Sequence, residues 1–88
     1  MGKGKYRIVV STGTNPDVEL PFHYNYLTNA VECAKLYKKT PHVFKITVSD
    51  DFYETLWIWT PEEGEKEMSR FATAVRESRG NFVTSTMK

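Results

Sequence analysis

The residues of this 88-residue chain whose types could do chemistry are His23, His42, Cys33 and the adjacent carboxylates Asp50 and Asp51. Nucleophilic catalysis needs a nucleophile within reach of a base, and a third group to orient that base. Cys33 falls among Ala30, Ala34 and Tyr37 on the apolar side of a predicted helix, which makes it a buried structural thiol. His23 stands in the polar row of an alternating strand, and His42 follows Pro41 in a connector, so both read as solvated. Paired carboxylates in a short turn are turn formers before they are a cation site. Gly2-Lys3-Gly4-Lys5 lacks the preceding strand and following helix of a phosphate-binding loop. One cysteine can form no internal disulfide and no multi-cysteine zinc site. The expectation is a protein that is not an enzyme, with no metal and no cofactor.

Binding is the stronger signal. Phe52 to Trp59 carries both tryptophans and is apolar in both rows of a strand, whereas a strand with one buried face alternates apolar with polar. One row must therefore meet something other than water. A two-residue hairpin at Asp50-Asp51 would pair Val48 with Tyr53 and Phe44 with Trp57, turning Tyr53, Trp57 and Trp59 to the core and leaving Leu56 and Ile58 outside. A three-residue loop would pair Ile46 with Leu56 and Phe44 with Ile58, sending Tyr53, Trp57 and Trp59 outward beside Lys45. In either register the outer face shares Arg7, Val9, Val43, Lys45 and Thr47, an apolar patch ringed by positive charge. Arg7, Lys45, Tyr53, Leu56, Trp57, Ile58 and Trp59 are the candidate partner-binding residues. A second basic set, Lys3, Lys5, Lys35, Lys38 and Lys39, offers possible phosphate contacts beside stacking aromatics, as in sheet-surface binders of single-stranded RNA.

Charge narrows the partner. Twelve Lys and Arg against eleven Asp and Glu leave a formal net charge of +1, so no long-range field selects nucleic acid, anionic lipid or acidic substrates. No apolar stretch approaches the roughly 18 residues that span a bilayer, and the N-terminus has no signal-peptide core. Tyr6 stands where a myristoylation motif wants Ser or Thr. A reducing cytoplasm and no membrane partner are expected.

The elements that must position these residues follow from periodicity. Tyr6 to Ser11 is β-branched and aromatic, and Val18 to Tyr24 alternates strictly, giving two strands. Pro21 places the second at a sheet edge or in a bulge. Asn29 and Glu32 form a capping box for a helix that runs to about Lys39 and ends at Thr40-Pro41. Its apolar side is Leu27, Ala30, Val31, Cys33, Ala34 and Tyr37. Val43 to Ser49 is a third strand and the tryptophan run a fourth. Thr60, Pro61 and Glu63 read as the start of a second helix closed by Gly80, with Met68, Phe71, Ala72 and Val75 as its stripe.

The expected fold is α+β, a two-layer ββαββα domain over residues 1–88 with a four-stranded, mainly antiparallel sheet and two helices on one face. Residues 1–4 are expected to be a tail, and residues 81–88 a tail or a short extra strand. The strands Tyr6 to Ser11 and Phe44 to Ser49 overlay at an offset of 38 residues, 44−6, and Val18 to Tyr24 over Tyr53 to Trp59 at 35, 53−18, a pattern of either a duplicated ββα unit or the alternation that any two strands share. Ile8, Val10, Ala34, Phe44, Ile46, Val48, Phe71 and Val75 are the predicted core. The expected function is a small protein-binding module, an inhibitor or adaptor that blocks a larger enzyme or complex, a class that includes the host-directed proteins phages encode. The alternatives are single-stranded nucleic-acid binding and a homodimeric structural protein.

Overall fold

In the computed structural model, which describes residues 4–77, the first strand, β1 (Tyr6–Thr12), is the most covered element. Tyr6, Ile8 and Val10 are buried on one face, and Arg7 and Ser11 on the other. It is flanked by β2 (Val18–Tyr24) and β3 (Val43–Ser49), followed outward by β4 (Thr55–Thr60) and β5 (Gly64–Glu67), in the order β2-β1-β3-β4-β5. All four neighbouring pairs are antiparallel. α1 (Leu27–Lys35) runs on into a 3₁₀ turn, Leu36–Lys39, and residues 71–77 are a second helix, α2. The α+β class, the antiparallel sheet and the two helices are as expected, but among the described residues the sheet has five strands. Lys3 and the segment from 81 to 88 lie outside the described residues.

The fifth strand replaces the expected start of the second helix. Thr60 Oγ1 does accept the backbone N–H of Glu63, at 3.2 Å, the bond expected of a helix cap. It closes a hairpin instead. Gly64, at φ +76°, takes the left-handed conformation that returns the chain, and Trp57, Ile58 and Trp59 pair with Glu67, Lys66 and Glu65. A helix through this point would carry a glycine in its first turns and leave β4 as an apolar sheet edge. A Glu-Lys-Glu edge strand covers it, and such charged edges resist pairing with other chains.

The first helix begins at Leu27, with Tyr26 as its N-cap and no side-chain cap. Asn29 lies inside the helix. Burial of Leu27 together with Ala30, Val31 and Ala34, the i, i+3, i+4, i+7 stripe, fixes the start ahead of the polar cap signal. Thr40 has the extended backbone, φ −73° and ψ 131°, that precedes a proline. Pro21 sits in a bulge of an edge strand: Arg7 and Val9 pair with His23 and Glu19, so three residues of β2 oppose one of β1.

A second bulge, between Ser11 and Thr12 opposite β3, exchanges two neighbours. Val43 is buried in the core, and Phe44 is 46% exposed. The expectation of a buried Phe44 and an outward Val43 fails because a one-residue irregularity turns each side chain to the other face. In α2 only Ala74 is fully buried, while Phe71 and Val75 pack against the core from its margin and Ala72 is exposed. The core cluster of the described residues comprises Tyr6, Ile8, Val10, Val43, Ile46, Val48, Leu56 and Trp57 of the sheet with the α1 stripe and Ala74.

Candidate binding surface

The tryptophan strand pairs Ile46 with Trp59, Thr47 with Ile58 and Val48 with Trp57. Neither short hairpin forms, because residues 50–54 make a longer loop. Relative to the two-residue hairpin the register moves by four, an even number, so Trp57 and Trp59 keep their core-facing orientation. Trp57 is 1% exposed, and Trp59 is half-buried against the core. A bulge between Val48 and Ser49 opposite β4 accommodates Leu56, which is also 1% exposed. Leu56 and Trp57 are therefore core residues, and the surface expected of them is formed by others. Ile58 points outward, half-buried, in a cross-strand row that reads Glu19, Val9, Thr47, Ile58, Lys66.

What stands out of the fold is the loop before β4. Asp50, itself buried, accepts the backbone N–H groups of Phe52 and Glu54 on Oδ1, each at 2.9 Å. The main chain closes the same loop twice, from Tyr53 N–H to the Asp50 carbonyl at 2.9 Å and from Asp50 N–H to the Glu54 carbonyl at 3.1 Å. Glu54 also accepts a hydrogen bond from Arg70 at 2.9 Å. The paired aspartates were expected to be turn formers, and Asp50 serves as one. Within this clamp Tyr53 adopts φ +64°, a left-handed backbone that is an outlier for a bulky residue. Phe52 is 84% and Tyr53 63% exposed. Next to the loop a cleft of about 240 Å³ has Tyr6, Leu56 and Ala74 among its lining, with Lys5 and Arg70 beside them.

Tyr53 also reaches across the sheet. Its ring centroid lies 4.7 Å from the Arg7 guanidinium carbon, and its hydroxyl donates to Glu19 Oε1 at 3.3 Å. Glu19 Oε2 lies 3.1 Å from His23 Nε2 and 3.9 Å from Arg7 Nε. In a regular strand Glu19 and His23 would stand about 13 Å apart. The β2 bulge brings them together, so His23 belongs to a polar cluster rather than to bulk solvent. Sequence reasoning missed Glu19, His23 and Phe52 as members of this surface, and the exposed Phe22 of β2 as its apolar neighbour in sequence.

The rim is mixed in sign rather than basic. Lys45 pairs with Asp17 at 3.6 Å and Lys66 with Glu63 at 2.9 Å. The possible phosphate-binding lysines are distributed elsewhere: Lys38 binds Glu65 of β5, Lys35 lies 3.8 Å from the same carboxylate, Lys39 is exposed, and Lys5 sits 5.7 Å from the Tyr6 ring. The Lys38 hydrogen bond holds the Glu65 carboxyl below its usual range, assisted by Lys35 and by the Trp57 indole, against partial desolvation.

Cys33 is half-buried and takes a hydrogen bond from the Tyr24 hydroxyl at 2.9 Å. That bond, with burial adding to it, pushes the Tyr24 hydroxyl up to about 12. His42 is exposed in a turn at φ +71°. Neither histidine meets Cys33 in any hydrogen bond found among the described residues, and no group of three or more metal-ligating side chains occurs among them. No helix among the described residues is long and apolar enough to cross a membrane. In comparisons with protein-family models, curated proteins and solved structures, the chain matches none.

Proposed function

We propose that this protein is a small, non-enzymatic protein-binding module that acts as an inhibitor or adaptor on a larger enzyme or complex, in the manner of small host-directed phage proteins. The observation that carries this reading is the clamped loop that presents Phe52 and Tyr53. Large side chains at an exposed loop tip cost solvation, and a left-handed tyrosine costs backbone energy, roughly 1–3 kcal/mol. Strain of this kind collects at ligand-contacting sites, where a surrounding framework fixes it. A preformed loop loses little entropy on docking, and tyrosine with arginine is the composition of interface hot spots. In this reading Tyr53 and Arg7 take the partner-binding role expected of them from the sequence, and Phe52 takes the anchor position assigned from the sequence to Trp57.

Pairing of Lys35 and Lys38 with Glu65 weighs against a phosphate-tracking strip, and the charged β5 edge weighs against self-association by sheet extension. The test is capture of partners from the native host by the immobilised protein, with mass spectrometry, in parallel with a Phe52→Ala/Tyr53→Ala variant of verified fold. A protein retained by the wild type and lost by the variant, at both low and high salt, supports the reading. Salt-sensitive retention of oligonucleotides alone, or a dimer in sedimentation that the variant breaks, overturns it.

A further inference from the structure

Arg7 is the least satisfied polar residue of the described fold. It lies near the start of β1, on the outer face of the sheet between β2 and β3, and is 9% exposed. Its Nε is shielded from solvent with no hydrogen-bond partner among the described residues. A guanidinium carries five donors in a planar fork shaped for an oxyanion, and a buried donor left unpaired is costly enough to require an explanation. Resting on the proposed function above, we propose that Arg7, at the foot of Tyr53, receives a carboxylate from the protein partner, an aspartate or glutamate side chain that takes the guanidinium edge from Glu19.

The surroundings are those of a carboxylate site. Three groups converge on Glu19: the Tyr53 hydroxyl at 3.3 Å, His23 Nε2 at 3.1 Å and Arg7 Nε at 3.9 Å. Glu19 is carried by the edge strand, and its carboxylate stops short of hydrogen-bonding distance to Nε. A carboxylate on a partner has no such tether and can make the two parallel bonds that arginine favours. Glu19, one-third exposed in its side chain, is the movable occupant. The Tyr53 ring over the guanidinium keeps the site next to the proposed anchor.

A carboxylate fits better than a phosphate chain. Polyphosphate backbones are held by several free cations, and here Lys45 and Lys66 are each paired with an acid. Glu19 and Asp17 would also repel a polyanion. One buried monocation beside the single acid Glu19 suits a single monovalent anion.

The test follows the Nε–H resonance of Arg7 by nitrogen-edited NMR while the intact protein is titrated with sodium acetate, sodium chloride or sodium phosphate at matched ionic strength. A saturable shift with acetate and none with chloride is expected. Glu19→Gln, which leaves Arg7 in place, should tighten acetate by up to about fivefold, the range of one exposed charge interaction. Arg7→Lys should abolish the accompanying shifts of Tyr53 and His23. Acetate that behaves as chloride in both wild type and Glu19→Gln overturns the inference. So does phosphate that saturates the site at concentrations where acetate leaves it unmoved, which points to a nucleic-acid ligand. A partner that needs Phe52 and Tyr53 while acetate leaves Arg7 unmoved removes this inference and leaves the proposed function standing. Acetate binding with no such partner does the reverse.

Discussion

The Arg7 guanidinium lies over the ring of Tyr53, 4.7 Å from its centroid, and this contact ties β1 to the loop that precedes the tryptophan strand. Arg7 is fixed by a regular strand, whereas Tyr53 holds a strained backbone, so the strand positions the loop. The same contact covers a buried cation with an aromatic face, an arrangement worth about 0.5–2 kcal/mol depending on desolvation.

Tyr53→Gly separates anchor from framework. Glycine adopts φ +64° without the steric cost, so stability in urea should change by no more than about 1 kcal/mol, the loss of the ring contact offsetting the relief of strain. Affinity for the partner should fall by about thirtyfold or more, equivalent to about 2 kcal/mol. Retained affinity in the glycine variant would move the anchor away from Tyr53.

Asp50→Ala should loosen the loop itself. Removing Oδ1 leaves the Phe52 and Glu54 N–H groups without their acceptor, a cost of about 1–3 kcal/mol where such groups are shielded. Hydrogen exchange at those two amides should accelerate more than at β3 or β1. Equal protection in the variant would show that the main-chain bonds alone hold the loop.

Trp57 should behave as a core residue. Trp57→Ala is expected to destabilise by about 3–5 kcal/mol, the usual cost of truncating a buried aromatic, and to abolish binding only by unfolding the domain. Denaturant midpoints beside partner affinity decide this. A folded Trp57→Ala protein with wild-type stability and no binding would place that indole at the interface.

Glu65 links stability to pH. Its carboxyl is held below the ordinary value of 4.5 by Lys38, so the folded state favours the ionised form more than the unfolded chain does. The contribution is present above about pH 4.5. It is lost as pH falls through the lowered folded value. Wild type should therefore exceed Glu65→Gln in stability at pH 7, with the gap closing below pH 4.5. A gap that is independent of pH would mean that the carboxylate charge plays no part.

Much of the fold is local chemistry and was legible as such. Runs of β-branched and aromatic residues placed β1 to β4, the pre-proline residue Thr40 ended the helical segment made of α1 and its 3₁₀ turn, and Pro21 marked a bulged edge strand. The capping bond at Thr60 was also legible, but a Thr-to-Glu N–H bond closes a helix or a hairpin equally well. Only pairing with the tryptophan strand selected the hairpin, and Gly64 was the signal that favoured it.

The site was legible as residue types and not as a surface. The sequence by itself determined that an excess of aromatic side chains around residues 52–59 had to find cover, since water cannot provide it for two apolar rows. Which of them found it was decided by the tertiary structure, through three bulges and one five-residue loop. The bulge at Leu56 buried that side chain beside Trp57, the bulge at Phe44 turned it outward in exchange for Val43, and the bulge at Pro21 carried Glu19 to His23. The loop left Phe52 and Tyr53 outside. A single inserted residue reverses which face a side chain meets, and its position depends on partner strands distant in the chain, so no local pattern records it.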